Sequence, residues 1–72
     1  MRFGEAIDLL LKEKGMKRAE LARRIGKSRS YVSQLIIGKV GEPSLSLAYA
    51  IADALDVSLQ DLADMVYGDE DA

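Results

Sequence analysis

The residues best suited to chemistry in this sequence are polar side chains in the segment 28–37, where Arg29, Ser30 and Gln34 stand between apolar residues. The apolar residues recur at helical spacing, so the polar side chains would share the solvent face of a helix. Arginine can donate two hydrogen bonds to a guanine edge, and glutamine can pair with an adenine edge, in the major groove of DNA. We therefore predict that this helix lies in the major groove.

Each of these polar residues also has a plainer interpretation. Arg29 could contact phosphate or solvent alone, and Gln34 could be an ordinary surface residue. Ser28 is first of all a helix cap, with base contact secondary. Tyr31 is more typical of a DNA-backbone contact, or of a cover over a helix pair, than of base stacking. These alternatives stay open at the level of sequence.

Charge is segregated along the chain, although the net charge is only −2. Residues 1–39 contain all ten Lys and Arg with four acids, a net charge of +6. Residues 40–72 contain eight acids and no base. Such asymmetry is typical of a polyanion-binding face backed by an acidic end. The plainer alternative is a solvated surface on which like charges cluster by chance.

Cysteine and histidine are both absent from the 72 residues. Without them the chain lacks a disulfide framework, and the commonest metal ligand and general base are missing. The sequence also contains no glycine-rich phosphate loop and no carboxylate pair in a recognisable catalytic arrangement. We therefore do not expect an enzyme, and we expect no metal, cofactor or small-molecule ligand.

A chain of this length is expected to form one domain. No apolar run reaches the roughly 20 residues that span a membrane. The N-terminal segment interrupts its apolar pattern with acids, unlike a signal peptide. We expect a cytoplasmic protein without a membrane partner, and the lack of cysteine suits a reducing compartment.

Helical periodicity and turn residues predict an all-α fold of five short helices without a strand. The predicted helices cover residues 2–14, 18–25, 28–37, 45–55 and 59–67. The expected helix stops are Gly15, Gly26 and Gly38, and the expected helix caps are Ser28, Ser44 and Ser58. The fourth helix is apolar on nearly every side, so we expect it to be the central, most buried element. The domain would span residues 1–68, followed by a short acidic tail, 69–72.

A series of short motifs runs in register through most of the chain. Their residues are Phe3, Gly4, Glu5 and Ile7, then Glu20-Leu21-Ala22, Ile25 before Gly26, Ser28, Val32, Leu35 and Gly38, and finally Pro43-Ser44-Leu45 and Ala52-x-x-Leu55-x-Val57-Ser58. No single motif is specific, but the whole series over residues 3–66 resembles the Cro/repressor type of helix-turn-helix domain, the XRE family. The resemblance implies a five-helix, lambda-repressor-like DNA-binding domain.

The resemblance also implies sequence-specific binding of double-stranded DNA and a role in transcriptional regulation, as a repressor. The residues that would touch base edges stand at the start of the third helix and one turn later: Ser28, Arg29, Ser30 and Gln34. The residues that would touch the DNA backbone stand at the start of the second helix, on the third helix and in the loop after it: Lys17, Arg18, Tyr31, Ser33 and Lys39. Arg23 and Arg24 are expected to be solvated.

Several positions depart from the family pattern. Arg18 stands where Gln is common, and unlike Gln it cannot accept a hydrogen bond. Lys27 stands where an apolar residue usually seals the turn, and Ile37 where a polar residue is common. Leu11 and Ile36 occupy the positions of a partly buried Arg–Glu pair, so we expect these two apolar side chains to touch across the core.

The resemblance further implies a homodimer bound to a pseudo-palindromic operator. The candidate dimer surface surrounds the C-terminal helix and includes Leu59, Met65 and Tyr67, with Leu47 and Tyr49 as spare apolar residues. The alternative is that these side chains complete the core. A second class of function is a protein-interaction module of the same fold, such as an antitoxin or a regulator that acts through a protein partner, with the acidic half facing a basic surface.

Overall fold

The computed structural model describes residues 1–68, which form five α-helices joined by short connections. The helices are α1 (Phe3–Lys14), α2 (Arg18–Ile25), α3 (Arg29–Ile37), α4 (Leu45–Ala54) and α5 (Leu59–Tyr67). The described part of the chain contains no strand. The predicted all-α, five-helix fold is confirmed, with each helix end within one residue of its expected position. The predicted acidic tail, 69–72, lies outside the described residues.

Three serines start three of the helices, as predicted. Each hydroxyl oxygen accepts a backbone N–H three residues further on: Ser28 from Tyr31 at 3.0 Å, Ser44 from Leu47 at 3.2 Å and Ser58 from Asp61 at 2.9 Å. These bonds satisfy amides that the helix itself cannot satisfy. The cap position of α2 is Lys17, whose side chain makes no such bond. The first amides of α2 are therefore left without a side-chain acceptor.

Residues in the left-handed conformation end the first four helices. The predicted stops Gly15, Gly26 and Gly38 have φ angles of 64°, 73° and 84°. Asp56 follows α4 with a φ of 58°, and aspartate tolerates this conformation better than most residues. The turn at Gly26 allows residues 26–28 alone to join α2 to α3, which fixes the angle between these two helices.

Buried apolar side chains from all five helices form one core, whose largest fully buried members are Ile7, Leu21, Val32, Ile51, Leu55 and Leu62. More buried residues come from α1 than from any other helix, and α1 packs against both α3 and α5. The prediction that the fourth helix is the most buried is wrong, because Leu45 is 75% exposed and Tyr49 is 62% exposed. The apolar residues of α4 are spread over nearly all of its sides, but only one side packs against α2 and α5.

None of the helices within residues 1–68 combines the length and the apolar character that a bilayer crossing requires.

Candidate nucleic-acid interface

The helix pair α2 and α3 is held together by apolar side chains that point into the core. Leu21 and Ala22 of α2 and Val32 and Leu35 of α3 are buried. Because these positions repeat with the helical period, the opposite side of α3 must face outward. Since α1 also packs against α3, two helices fix the orientation of the exposed edge.

The exposed edge of α3 carries all four residues that were predicted to read bases. Ser28, Arg29, Ser30 and Gln34 are exposed, whereas Tyr31 and Ser33, which were predicted to touch the DNA backbone, are half-buried. The Ser28 oxygen accepts the N–H of Tyr31, so this hydroxyl acts as a cap while its O–H group can still donate. No helix within residues 1–68 covers this edge.

A concave pocket of about 690 Å³ lies between the end of α1 and the start of α2, next to the exposed edge. Lys12, Lys17, Arg18 and Arg29 line it, together with the carboxylate of Asp8. Two of the predicted DNA-backbone residues, Lys17 and Arg18, therefore share one concave surface with Arg29. Lys12 was missed by the sequence analysis, because its position in the first helix indicated only a solvated side chain.

Arg18 is engaged within the protein and links three helices. Its Nη1 donates to Ser33 Oγ at 3.3 Å, and its Nη2 lies 3.8 Å from Asp8 Oδ1. The other oxygen of Asp8 lies 3.0 Å from Lys12 Nζ. The structure thus brings together two predicted DNA-backbone residues, Arg18 and Ser33, through a direct hydrogen bond.

A second cationic region lies at the loop that follows α3. Lys39, predicted to contact phosphate, is exposed in this loop. The guanidinium of Arg2 lies so close to Gly38 that a Cβ on that glycine would overlap it. Two cationic side chains therefore lie at this loop, although the sequence pattern indicated only Lys39. Nothing local in the sequence indicates this, since Arg2 and Gly38 belong to distant parts of the chain.

Other cations of the helix pair have different surroundings. Arg24, expected to be solvated, is half exposed, forms an ion pair with Glu20 at 2.7 Å and donates to the carbonyl of Ala54 at 3.5 Å. It is therefore tied to the end of α4. Arg23 is exposed, as expected. Lys27 is exposed and places its Nζ 5.5 Å from the centre of the Tyr31 ring, a cation–π contact beside the turn at Gly26.

Exposed large apolar side chains occur on α4 and α5, and also at Met1, Leu9 and Ile37. Leu45 and Tyr49 lie one turn apart on α4, and Tyr67 ends α5 half exposed, with its hydroxyl donating to Glu42 at 2.8 Å. A groove of about 350 Å³ between these helices is lined by Leu45, Leu59 and Tyr67 among others. The residues predicted for a dimer surface divide into exposed Tyr49 and Tyr67 and half-buried Leu47, Leu59 and Met65. Leu45, the most exposed of the large apolar residues that the structure describes, was not predicted.

A model of the helix-turn-helix family matches residues 7–62 of the chain. This range contains all of α2, α3 and α4, most of α1 and the first part of α5. No curated protein matches the chain at a significant level.

Several solved structures are similar over most of their length. The regulator of biofilm formation SinR, solved in complex with DNA, is 34% identical with a TM-score of 0.77, over 86% of this chain and 98% of that one. The restriction-modification controller protein C.AhdI from Aeromonas hydrophila is 33% identical with a TM-score of 0.75, over 83% and 86% of the two chains. The clp gene regulator ClgR from C. glutamicum is 29% identical with a TM-score of 0.84, over 94% and 87%. SinR is similar also in its complex with SinI, at 34% identity and a TM-score of 0.76, over 86% of this chain and 60% of that one.

Proposed function

The chain belongs to the Cro/repressor (XRE) type of the helix-turn-helix family and is a DNA-binding transcription regulator, and we propose that it reads its operator by laying α3 in the major groove. The observation that carries this proposal is the exposed edge of α3. It presents Ser28, Arg29, Ser30 and Gln34 beside a pocket lined by four cationic side chains.

In this proposal the edge of α3 supplies the sequence preference. Arg29 donates two hydrogen bonds to a guanine, and Gln34, one turn later, pairs with an adenine. Ser28 and Ser30 are short and can donate to either type of base through their hydroxyl groups. Each well-placed contact of the bidentate kind contributes about 1–3 kcal/mol of discrimination against the wrong base.

The surrounding groups position the duplex without reading it. Five residues flank the exposed edge of α3, called the reading edge below, at the start of α2, on α3 and in the loop after α3. We propose that these residues contact the DNA backbone: Lys17, Arg18, Tyr31, Ser33 and Lys39. The first amides of α2, which have no side-chain cap, suit a phosphate oxygen because they lie at the positive end of the helix dipole. SinR, a relative of similar fold, was solved in complex with DNA, which supports DNA as the ligand.

We further propose that the chain acts as a repressor and as a homodimer on a pseudo-palindromic operator. One copy presents a single reading helix, which suits half of a two-fold symmetric site. The dimer surface would be the α4–α5 region, where Leu45, Tyr49 and Tyr67 are exposed. The domain is proposed to comprise residues 1–68 and to work in the cytoplasm, with neither catalytic activity nor a cofactor.

The second candidate is a module that acts through a protein partner. SinR is also known in complex with SinI, and residues 40–72 of this chain carry eight acids and no base, which would suit a basic partner. In this alternative the acidic half makes the functional contact, and binding to duplex DNA is weak at low salt.

Duplex binding at increasing salt separates the two candidates. A DNA reader should bind a random-sequence duplex with a log K that falls linearly with log salt, at a slope of about −0.9 per phosphate neutralised. Selection from a random duplex pool should then return two symmetric half-sites about one helical turn apart. Absence of duplex binding at low salt would favour the protein-interaction module, and a selected motif without symmetry would refute the dimer.

A further inference from the structure

Asp8 is an acidic residue among the four cationic side chains that line the pocket between α1 and α2. Its two carboxylate oxygens face different partners, Lys12 Nζ at 3.0 Å and Arg18 Nη2 at 3.8 Å. The side chain of Asp8 is 32% exposed, and those of Lys12 and Arg18 are 74% and 41% exposed. All three charges are therefore accessible from the pocket.

A DNA phosphate and the carboxylate of Asp8 need the same partners. Both are oxyanions that accept charge-assisted hydrogen bonds from ammonium and guanidinium groups. A phosphate that enters the pocket must share Lys12 and Arg18 with Asp8 or displace it, and it meets the like charge of the carboxylate at short range. Because phosphates carry no sequence information, this competition acts equally on every duplex.

We propose that Asp8 is an internal competitor for DNA phosphate and lowers the affinity of the protein for all duplexes by the same factor. This inference rests on the proposed function, since it needs a duplex seated at the pocket. It assigns to an α1 acid a role that neither the reading edge nor the predicted DNA-backbone residues include. Arg18 acts as a shared cation, bound to Asp8 and Ser33 in the free protein and available to phosphate in the complex.

The test compares Asp8→Asn with Glu13→Gln, which removes the same charge from an exposed position on the same helix. Binding is measured on one random-sequence duplex and on the operator obtained by selection, over a series of salt concentrations. Asp8→Asn should raise the affinity for both duplexes about three- to tenfold at low salt, as expected for two released surface ion pairs. It should also make the slope of log K against log salt concentration steeper by about 0.9. The ratio of operator affinity to random-duplex affinity should stay unchanged. Glu13→Gln should change the affinity less than twofold.

A double variant distinguishes competition from a general effect of charge. In an Arg18→Gln background, Asp8→Asn should yield a smaller gain, because one of the two shared cations is gone and only Lys12 remains. Thermal melts of each variant show whether the fold is retained, and a shift of Tm within about 10 °C is expected for loss of two exposed pairs.

Equal gains for Asp8→Asn and Glu13→Gln would overturn the inference, as would a loss of duplex affinity in Asp8→Asn or a full gain in the Arg18→Gln background. In each of these cases the wild-type chain would still bind duplex DNA, so the proposed function would stand. A wild-type chain that does not bind duplex DNA at low salt would refute the proposed function, and this inference with it.

Discussion

Gly4 of α1 lies directly against the backbone carbonyl of Ile36 in α3. A Cβ built on Gly4 would overlap the carbonyl oxygens of both Leu35 and Ile36, so the two helices meet backbone to backbone at this point. The missing side chain lets α1 approach the last turn of α3. Through this contact α1 helps to fix the orientation of the helix that carries the reading edge.

Gly4→Ala is expected to destabilise the protein by about 1–3 kcal/mol, because the obstructing atoms belong to the backbone of a neighbouring helix and the core must shift. For a domain of this size, 1 kcal/mol corresponds to a fall in Tm of about 4–8 °C. Gly41→Ala is the control, since a Cβ there meets nothing within 4 Å. Thermal melts in which both variants match the wild type would contradict the close approach of α1 and α3.

Ser28→Ala and Ser58→Ala remove equivalent helix caps from different helices. Each serine accepts one backbone N–H, at 3.0 Å and 2.9 Å, so each substitution should lower the free energy of unfolding by about 1 kcal/mol. Only Ser28 belongs to the proposed reading edge. Duplex affinity, measured at a temperature at which both variants are folded, should fall for Ser28→Ala alone. Equal losses of affinity would show that the effect comes from stability rather than from contact with DNA.

Arg29→Ala should relax the sequence preference of the protein. Loss of a bidentate guanine contact is expected to cost about 1–3 kcal/mol on the selected operator and much less on a random duplex. Arg23→Ala removes the same charge from an exposed position on α2 and should leave the operator-to-random ratio unchanged. If Arg29→Ala weakens binding to both duplexes by the same factor, Arg29 contacts phosphate instead.

Arg2→Ala should weaken binding to every duplex alike. The Arg2 guanidinium lies over Gly38, beside the loop that carries Lys39, and is expected to add a phosphate contact there. Its removal should reduce the magnitude of the salt slope by about 0.9 without changing which operator is selected. An unchanged slope, with Arg23→Ala measured in parallel, would show that Arg2 serves only to cover the loop.

The elements of this fold could be predicted because their signals are local. Serine caps such as Ser28 and glycine stops such as Gly26 act within a few residues, and both are found where the sequence indicated. The orientation of α4 could not be predicted. Its apolar residues surround the helix, so the pattern alone gives no reason for Leu45 and Tyr49 to face outward.

The long-range contacts of the site were also beyond the sequence pattern. The links from Arg18 to Asp8 and Ser33, and from Arg2 to Gly38, join residues from separate helices and loops. The expected contact between Leu11 and Ile36 stays a prediction. Leu11 is buried and Ile36 half-buried against the same core, and it is Gly4 that meets the Ile36 backbone.

The central claim, that the edge beginning at Ser28 faces the duplex, is tested most directly by mapping amide NMR shifts during titration with the selected operator. We expect the largest changes at residues 28–34, with further changes at Lys17, Arg18 and Lys39. Large changes confined to α4 and α5 around Leu45, Tyr49 and Tyr67, with residues 28–34 unmoved, would contradict the claim.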